Sequence, residues 1–449
     1  MRIIFHIDVN SAFLSWSAVK QLKENPDAVD LRTIPSAVGG DVSKRHGVIT
    51  AKSIPAKKYG VQTGEPVVKA LQKCPDLVLV QSDFATYRAY SAAFIEILRS
   101  YSEILEQVSI DEAYLDVTEL IEDSEGLDAV TLAAQIRKEI RETLGFTVNV
   151  GISVNKFLAK MASDFAKPDK THTLYPEEIP AKLWPLAIRD LYGCGASTAQ
   201  KLTQLGILTI GEAAGTQKEL LQSYLGQKAG EYIYERANGR GSEVVHAESE
   251  KAKSYSNETT MSEDITVRNY EAKADPVLRA LSEHVSARME RGQAKGLTVS
   301  VSVKTDDFKR RSRQMTLERP TRDAEVIYAN AQVLLRELCF GETALLADGR
   351  GIRLIGVGMS KLDEGGYEQE NLFDWMKTQE EEKERKQEQE RVREEGEKKA
   401  EEQARQAAEK KRRTEQLGRM LENVQMRFGK QSLQKGVSKD TSGEKPEED

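Results

Sequence analysis

Cysteine is scarce: 449 residues carry only Cys74, Cys194 and Cys339. An odd number, far apart in the chain, excludes a disulfide framework and offers no ligand spacing for structural zinc. It points to a reducing compartment. Long apolar runs are missing too. No stretch approaches the roughly 18 consecutive apolar residues of a membrane-spanning helix. The N-terminus, "MRIIFHIDVN", lacks the basic start, long apolar core and small-residue cleavage site of a secretory signal. The expectation is a cytoplasmic protein with no membrane partner. Nor is there an excess of positive charge. The net charge of −7 argues mildly, taken whole, against a polyanionic partner. Charge acts locally, however. It sums to −5 over residues 1–252, +2 over 253–363 and −4 over 364–449. The middle region is therefore the relatively basic one, and it holds "KRRSR" (Lys309 to Arg313).

What is present is enough chain for about two to four domains. "RIIFHIDV" is strand-like and ends at Asp8. "SAFLSWSAVKQL" has helical spacing, and the stretch to about Ser82 alternates short strands with glycine turns. "TYRAYSAAFIEILRSYSEIL" and "LDAVTLAAQIRKEIRETLG" have the three- and four-residue apolar spacing of amphipathic helices, the second closed by Gly145. "FTVNVGIS" is a strand, and "NKFLAKMASDFAK" is a helix stopped before Pro168. From about 175 to 241 short helices with glycine turns follow, then a polar linker. "KSYSNETTM", "LTVSVSVKT" and "IRLIGVGMSKL" are strands separated by two helices, a small α+β domain. From about Glu364 the core-forming pattern stops. The charged stretch beyond it lacks the a/d seam of a coiled coil and predicts a solvated helix or disorder.

The stretch "VSIDEAYLDV" sets Asp111 and Glu112 side by side in an apolar run. Buried unpaired carboxylates are costly, and neighbouring strand residues point to opposite faces. A tight hairpin with arms 108–110 and 113–117 would relax that alternation and let both acids face one point. A first strand pairing beside it would bring Asp8 to the same place. Three carboxylates so close repel one another and call for a cation. Oxygen-only ligands favour Mg²⁺. Solvated turn residues and a strand-end cap are the plainer explanation, and spacing alone does not separate the two.

Four blocks do: "HIDVNSAF", "VSIDEAYLD", "VGISVNKFLAKMASDFAKP" and "LYGCGASTAQKLTQLGI". In this order and spacing they resemble the Y-family, or translesion, DNA polymerases, in the branch of the bacterial polymerase IV and UmuC-like proteins. The resemblance covers about residues 1–363. It implies an α+β right hand. The palm would be residues 1–11 and 83–174, the fingers 12–82, and the thumb 175–241. A linker at 242–252 leads to an α+β little finger at 253–363. Residues 364–449 remain as a flexible charged tail.

The resemblance also implies roles. Asp8, Asp111 and Glu112, with the carbonyl of Val9, would hold two Mg²⁺ for template-directed, low-fidelity nucleotidyl transfer from a dNTP to a primer 3′-hydroxyl, in DNA damage tolerance. Phe13 matches the steric gate that rejects a ribose 2′-hydroxyl. Ser11, Ala12, Phe13, Lys57 and Lys167 would contact the dNTP. Lys156 and Lys160, on the helix before Lys167, either touch phosphate or are solvated. Two departures stand out. Asn10 occupies the place of a frequent second Asp. Ile54 and Lys57 stand where many relatives carry Tyr and Arg gripping the triphosphate, and Lys57 offers charge without a bidentate fork.

"LYGCGASTAQKLTQLGI" resembles a helix-hairpin-helix in which Gly193 and Gly195 would bring backbone N–H groups to a DNA phosphate. Lys304, Arg311 and Arg313 are expected on one polar strand face against the DNA backbone. "QENLFDW" resembles the peptide that docks bacterial polymerases on the sliding clamp, through Gln369, Leu372 and Phe373. The expected partners are primer–template DNA, dNTP and the clamp's β subunit, and the expected state is a monomer. The alternative is a non-catalytic DNA- and clamp-binding protein that keeps the fold.

Overall fold

The first strand, Ile4–Val9, is buried along its whole length and lies at the centre of a five-stranded sheet. The computed structural model describes residues 1–40, 47–247, 251–341, 345–346, 349–363 and 372–429. Two antiparallel neighbours flank the first strand, Glu112–Asp116 on one side and Val148–Ser153 on the other. The edge strands are Leu105–Gln107 and Thr171–Thr173. Alternation gives the sheet two unlike faces. Phe5, Ile7 and Val9 meet Trp16, Phe94, Leu98, Leu132, Ile136 and Ile140, from the helices Ala12–Glu24, Phe84–Arg99 and Ala129–Leu144. These helices are amphipathic for that reason. Gly145 closes the last of them with φ 82°, a left-handed conformation that suits glycine.

The other face carries His6 and Asp8 and is covered by the helix Lys156–Ser163. Asn155 caps this helix by accepting a hydrogen bond from the N–H of Leu158, and the helix ends at Ser163 rather than running to Pro168. Gly151 permits its close approach. A Cβ there would collide with the Ala159 carbonyl and the Ser163 amide.

Between Ala12–Glu24 and Phe84–Arg99 lies a small unit, a three-stranded sheet with Ser36–Gly39 between Ile49–Lys52 and Val78–Val80. The helices Ile54–Lys58 and Val67–Lys73 pack with it around Ala37, Ile49, Val61 and Val67. After Thr171–Thr173 come short helices, among them Ala196–Gln204, Ile210–Gly215, Lys218–Leu225 and Gln227–Ala237, gathered on Leu183, Leu202, Ile210, Leu221 and Ile233. A four-stranded antiparallel sheet follows, in the order Arg310–Thr321, Gly296–Thr305, Ile352–Leu362, Ser254–Ile265. The helices Tyr270–Arg291 and Ala324–Phe340 cover one side of it over Val299, Val301, Val303 and Val357.

Residues 364–449 are a separate unit. Its described part is one helix of 57 residues, Leu372–Phe428, about 86 Å long at 1.5 Å per residue. Of the two states open to this stretch, solvated helix or disorder, it adopts the helix. Glu409 and Arg413, and Glu415 and Arg419, stand four apart with the acid first, the order that supports an exposed helix.

Candidate active site

Strand register sets the acids. Asp8 lies directly opposite Glu112 across the antiparallel pair, so both side chains leave the sheet on one face. The hairpin differs from the sequence expectation. Its arms are Leu105–Gln107 and Glu112–Asp116, and residues 108–111 form the turn. The N–H groups of Val108 and Ser109 close it on the Glu112 carbonyl. Only Asp111 is a turn residue, while Glu112 begins the strand. The Asp111 carbonyl accepts a hydrogen bond from the N–H of Val9 at 3.0 Å, which ties the turn to the end of the first strand.

The three carboxylates are neighbours, yet their side chains do not converge on one point. Among the described residues no set of three acidic, His or Cys side chains stands at metal-ligand spacing. Each acid turns to its nearest compensating group. Asp8 accepts from Lys167 at 2.6 Å and lies 3.8 Å from Lys160. Glu112 accepts from His6 at 3.1 Å and lies 3.4 Å from Lys160. Asp111 accepts from the Ser109 hydroxyl at 2.7 Å. Lys160 is therefore not solvated. It is buried among Asp8, Glu112 and Asp164. Burial alone would favour its neutral form, but these carboxylates raise its pKa. Lys167 behaves likewise beside Asp8 and Asp164. Lys156 pairs with Glu106 at 2.8 Å, away from the acids.

The hydrogen bond from His6, then the charge of Lys160, holds Glu112 ionised, with its pKa lowered to about 2. Burial pushes Asp111 the other way, and the charges of Asp8 and Glu112 add to this against the Ser109 hydrogen bond. No ion pair reaches Asp111 among the described residues. The donor chemistry, three neighbouring carboxylates of which the half-buried Asp111 has no cationic partner among the described residues, suits a hard divalent cation, although the side chains do not stand at ligand spacing.

Beside the acids lies a cavity of about 400 Å³. Val9, Asn10, Ser11, Ala12, Phe13, Asp111, Lys167 and Pro168 form one wall, and Thr50, Ala51, Lys52, Ser53, Ile54, Lys57 and Thr63 the other. Ser11 is left-handed at φ 48° and does not cap the helix Ala12–Glu24 with its side chain, so the first N–H groups of that helix are open to an anion. Phe13 is immobilised by neighbours. Its ring stacks on Tyr87 at 4.7 Å and 19° and meets Phe84 and Trp16 at 6.3 and 6.0 Å. Burial, then the charge of Lys57, lowers the pKa of Lys52. Lys52 and Lys57 line the space together with Lys167. Asn10 does structural work. Its Oδ1 accepts from the Thr147 hydroxyl and the Asp169 amide.

Sequence reasoning missed His6. Alternation held the signal, because a residue two before Asp8 shares its face.

The predicted DNA-contacting residues lie elsewhere. Gly193 has φ 84°, and a Cβ on it would strike the Tyr232 hydroxyl. Gly195 begins the helix Ala196–Gln204 without a side-chain cap, and nothing lies within 4 Å of where its Cβ would be. The basic strand residues do not share one face. Lys304 pairs with Arg310, whereas Arg311 and Arg313 pair with the core residues Val303 and Val301 and so project toward the helix-covered side. Arg313 lies 3.5 Å from Glu337 of the helix Ala324–Phe340. Gln369 lies outside the described residues. Leu372 and Phe373 open the 57-residue helix.

Three family descriptions match the chain: the impB/mucB/samB family at residues 7–164, its C-terminal domain at 252–372, and the DNA polymerase-iota thumb domain at 189–241. DNA polymerase IV of Clostridium acetobutylicum is 40% identical over 373 residues, which are 83% of this chain and 90% of that protein. DNA polymerase IV 2 of Agrobacterium fabrum is 36% identical over 363 residues, 81% of this chain and 95% of its own. Among solved structures, the Y-family DNA polymerase chimera Dbh-Dpo4-Dbh superposes with a TM-score of 0.69 at 27% identity, covering 80% of this chain and 99% of that one. The chain belongs to the impB/mucB/samB family, that of the Y-family DNA polymerases.

Proposed function

We propose that this chain is a template-directed DNA polymerase that carries out translesion synthesis, joining a dNTP to the 3′-hydroxyl of a primer on damaged DNA. One observation carries this most directly. Asp111, next in the chain to Glu112 of the Asp8–Glu112 cross-strand pair, lines a cavity walled also by Phe13, Lys52, Lys57 and Lys167. Family membership implies divalent-metal dependence, and the finer reading is two Mg²⁺ held by Asp8, Asp111, Glu112 and the carbonyl of Val9. Bound there, the ions would lower the pKa of the primer hydroxyl and stabilise the leaving pyrophosphate.

The chain's own groups do the rest. Lys57, Lys52, Lys167 and the open N–H groups at Ser11, Ala12 and Phe13 bind the triphosphate by charge and hydrogen bonds. The Phe13 ring lies under the sugar and leaves no space for a 2′-hydroxyl. Lys160 and His6 keep Glu112 ionised. The palm is residues 1–11 and 83–174, the fingers 12–82, the thumb 175–241 and the little finger 253–363. Gly193 and Gly195 of the thumb and Lys304 of the little finger hold the primer–template backbone, whereas Arg311 and Arg313 lie on the opposite, helix-covered face of the sheet. Gln369, Leu372 and Phe373 dock on the sliding clamp, and the polymerase itself is a monomer. Among the described residues no helix is long and apolar enough to cross a membrane, and the cytoplasm, where chromosomal DNA lies, is the proposed site of action.

The test is primer extension with Mg²⁺ on intact and damaged templates. Extension that Asp111→Ala abolishes supports the proposal, and a wild-type chain that extends neither template sinks it. The non-catalytic alternative has one observation on its side: Ile54, half exposed on the cavity wall, offers the triphosphate no hydrogen bond. The same assay decides between them.

A further inference from the structure

We infer that His6 is a positioning residue that fixes the Glu112 carboxylate for metal binding, an inference that rests on the carboxylate site proposed above.

His6 is fully buried in the central strand, two residues before Asp8 and on the same face. Its Nε2 lies 3.1 Å from Glu112 Oε2, and its Nδ1 lies 2.8 Å from the Ser163 hydroxyl. An ionised carboxylate only accepts, so Nε2–H donates to Glu112 and Nδ1 faces Ser163. The ring is wedged against Tyr114 at 4.8 Å between centroids. Ser163 ends the helix that Gly151 admits so closely to the sheet. The imidazole is thus held on both edges and on a face, and none of its torsions is free.

Glu112 needs such a partner. It opens its strand beside a turn and carries three side-chain torsions. The other group in reach, Lys160, does not fix an orientation, because its ammonium is shared among Asp8, Glu112 and Asp164 at 3.8, 3.4 and 3.2 Å. His6 engages Oε2 alone. Among the described residues no hydrogen bond engages Oε1. One oxygen is pinned and the other is left with its lone pairs for a cation. Removing an outer partner of a metal-binding carboxylate typically weakens metal affinity about 10- to 100-fold.

The experiment is a Mn²⁺ titration of the full chain, read from the electron paramagnetic resonance of the free ion, with folding followed by circular dichroism. His6→Phe keeps a ring and removes the donor, and its Kd for Mn²⁺ should rise about tenfold or more. His6→Gln, whose amide N–H replaces Nε2–H, should recover most of that loss. In a Glu112→Gln background, His6→Phe should add nothing. In primer extension, His6→Phe should need more Mg²⁺ for half-maximal rate and regain kcat at saturating metal.

Wild-type Mn²⁺ affinity in folded His6→Phe overturns the inference. Equal losses in the Phe and Gln variants, or additive losses with Glu112→Gln, overturn it too, because packing rather than the hydrogen bond would be responsible. If Glu112→Gln alone binds Mn²⁺ normally, the carboxylate site itself is wrong. If His6→Phe does not fold, Ser163→Ala takes its place by releasing the far edge of the ring. A weaker Mn²⁺ affinity then supports the role, and an unchanged one ends it.

Discussion

Asp8 and Glu112 are direct cross-strand partners, though 104 positions separate them in the chain. The register that pairs them also pairs His6 with Tyr114. A one-residue slip of Glu112–Asp116 against the first strand would send Glu112 to the apolar face and leave Asp8 without it. Removing either acid should therefore leave the fold and abolish the chemistry. Asp8→Asn and Glu112→Gln are each expected to slow single-turnover nucleotide addition about a thousandfold, since each metal ligand supports several kcal/mol of charge stabilisation in the transition state. Rapid-quench extension checks this. A variant within tenfold of wild type would remove that residue from the site.

The stack of Phe13 on Tyr87 predicts sugar selection. Phe13→Ala should raise ribonucleotide incorporation by about 10- to 100-fold relative to dNTP, the range that one small-group clash supplies. Comparing kcat/KM for matched rNTP and dNTP measures it. An unchanged ratio would show that the ring does not face the sugar.

The exposed Ile54 and the nearby Lys57 predict a gain of function. Ile54→Tyr with Lys57→Arg would supply a hydroxyl and a bidentate fork to the triphosphate. A single hydrogen bond to a charged group contributes about 1.5–3 kcal/mol. The KM for dNTP should fall about tenfold or more. A KM that stays level would mean that Lys52 already fills the role.

Gly151 is where helix and sheet nearly touch. In Gly151→Ala the new Cβ has only backbone to meet, at Ala159 and Ser163, and no flexible side chain can yield. Overpacking of this kind typically destabilises by about 1–3 kcal/mol, a fall in Tm of several degrees. Because the displaced helix carries Lys160 and Ser163, metal-dependent extension should fall with it. Calorimetry that shows no loss would contradict the packing described.

Lys304 and Arg313 lie on opposite faces of their sheet, and they should respond differently. Lys304→Ala should weaken binding to DNA uniformly across sequences and reduce the salt slope of log K by about one. Arg313→Ala mainly breaks an exposed pair with Glu337, worth at most about 1 kcal/mol. Salt-dependent fluorescence anisotropy separates the two, and equal slopes would undo the assignment of faces.

Much of this protein is legible from its sequence. The helices follow from apolar spacing, the end at Gly145 from glycine conformation, and the succession of small domains from shifts in composition. These are local properties, set within a few turns of chain. Asp111 and Glu112 stood out because two acids in an apolar run conflict with local rules. What only the tertiary structure decided is register and approach. Pairing across about a hundred residues put Glu112 in a strand rather than a turn, set it opposite Asp8, and brought His6 to its side. The close seat of a helix on Gly151 turned Lys160 from a surface charge into a buried partner of three carboxylates. Pairing also sent Arg311 and Arg313 to the helix side, away from Lys304. Periodicity tells which residues share a face of one element. Which face meets which is settled by long-range packing, and the candidate site is made there.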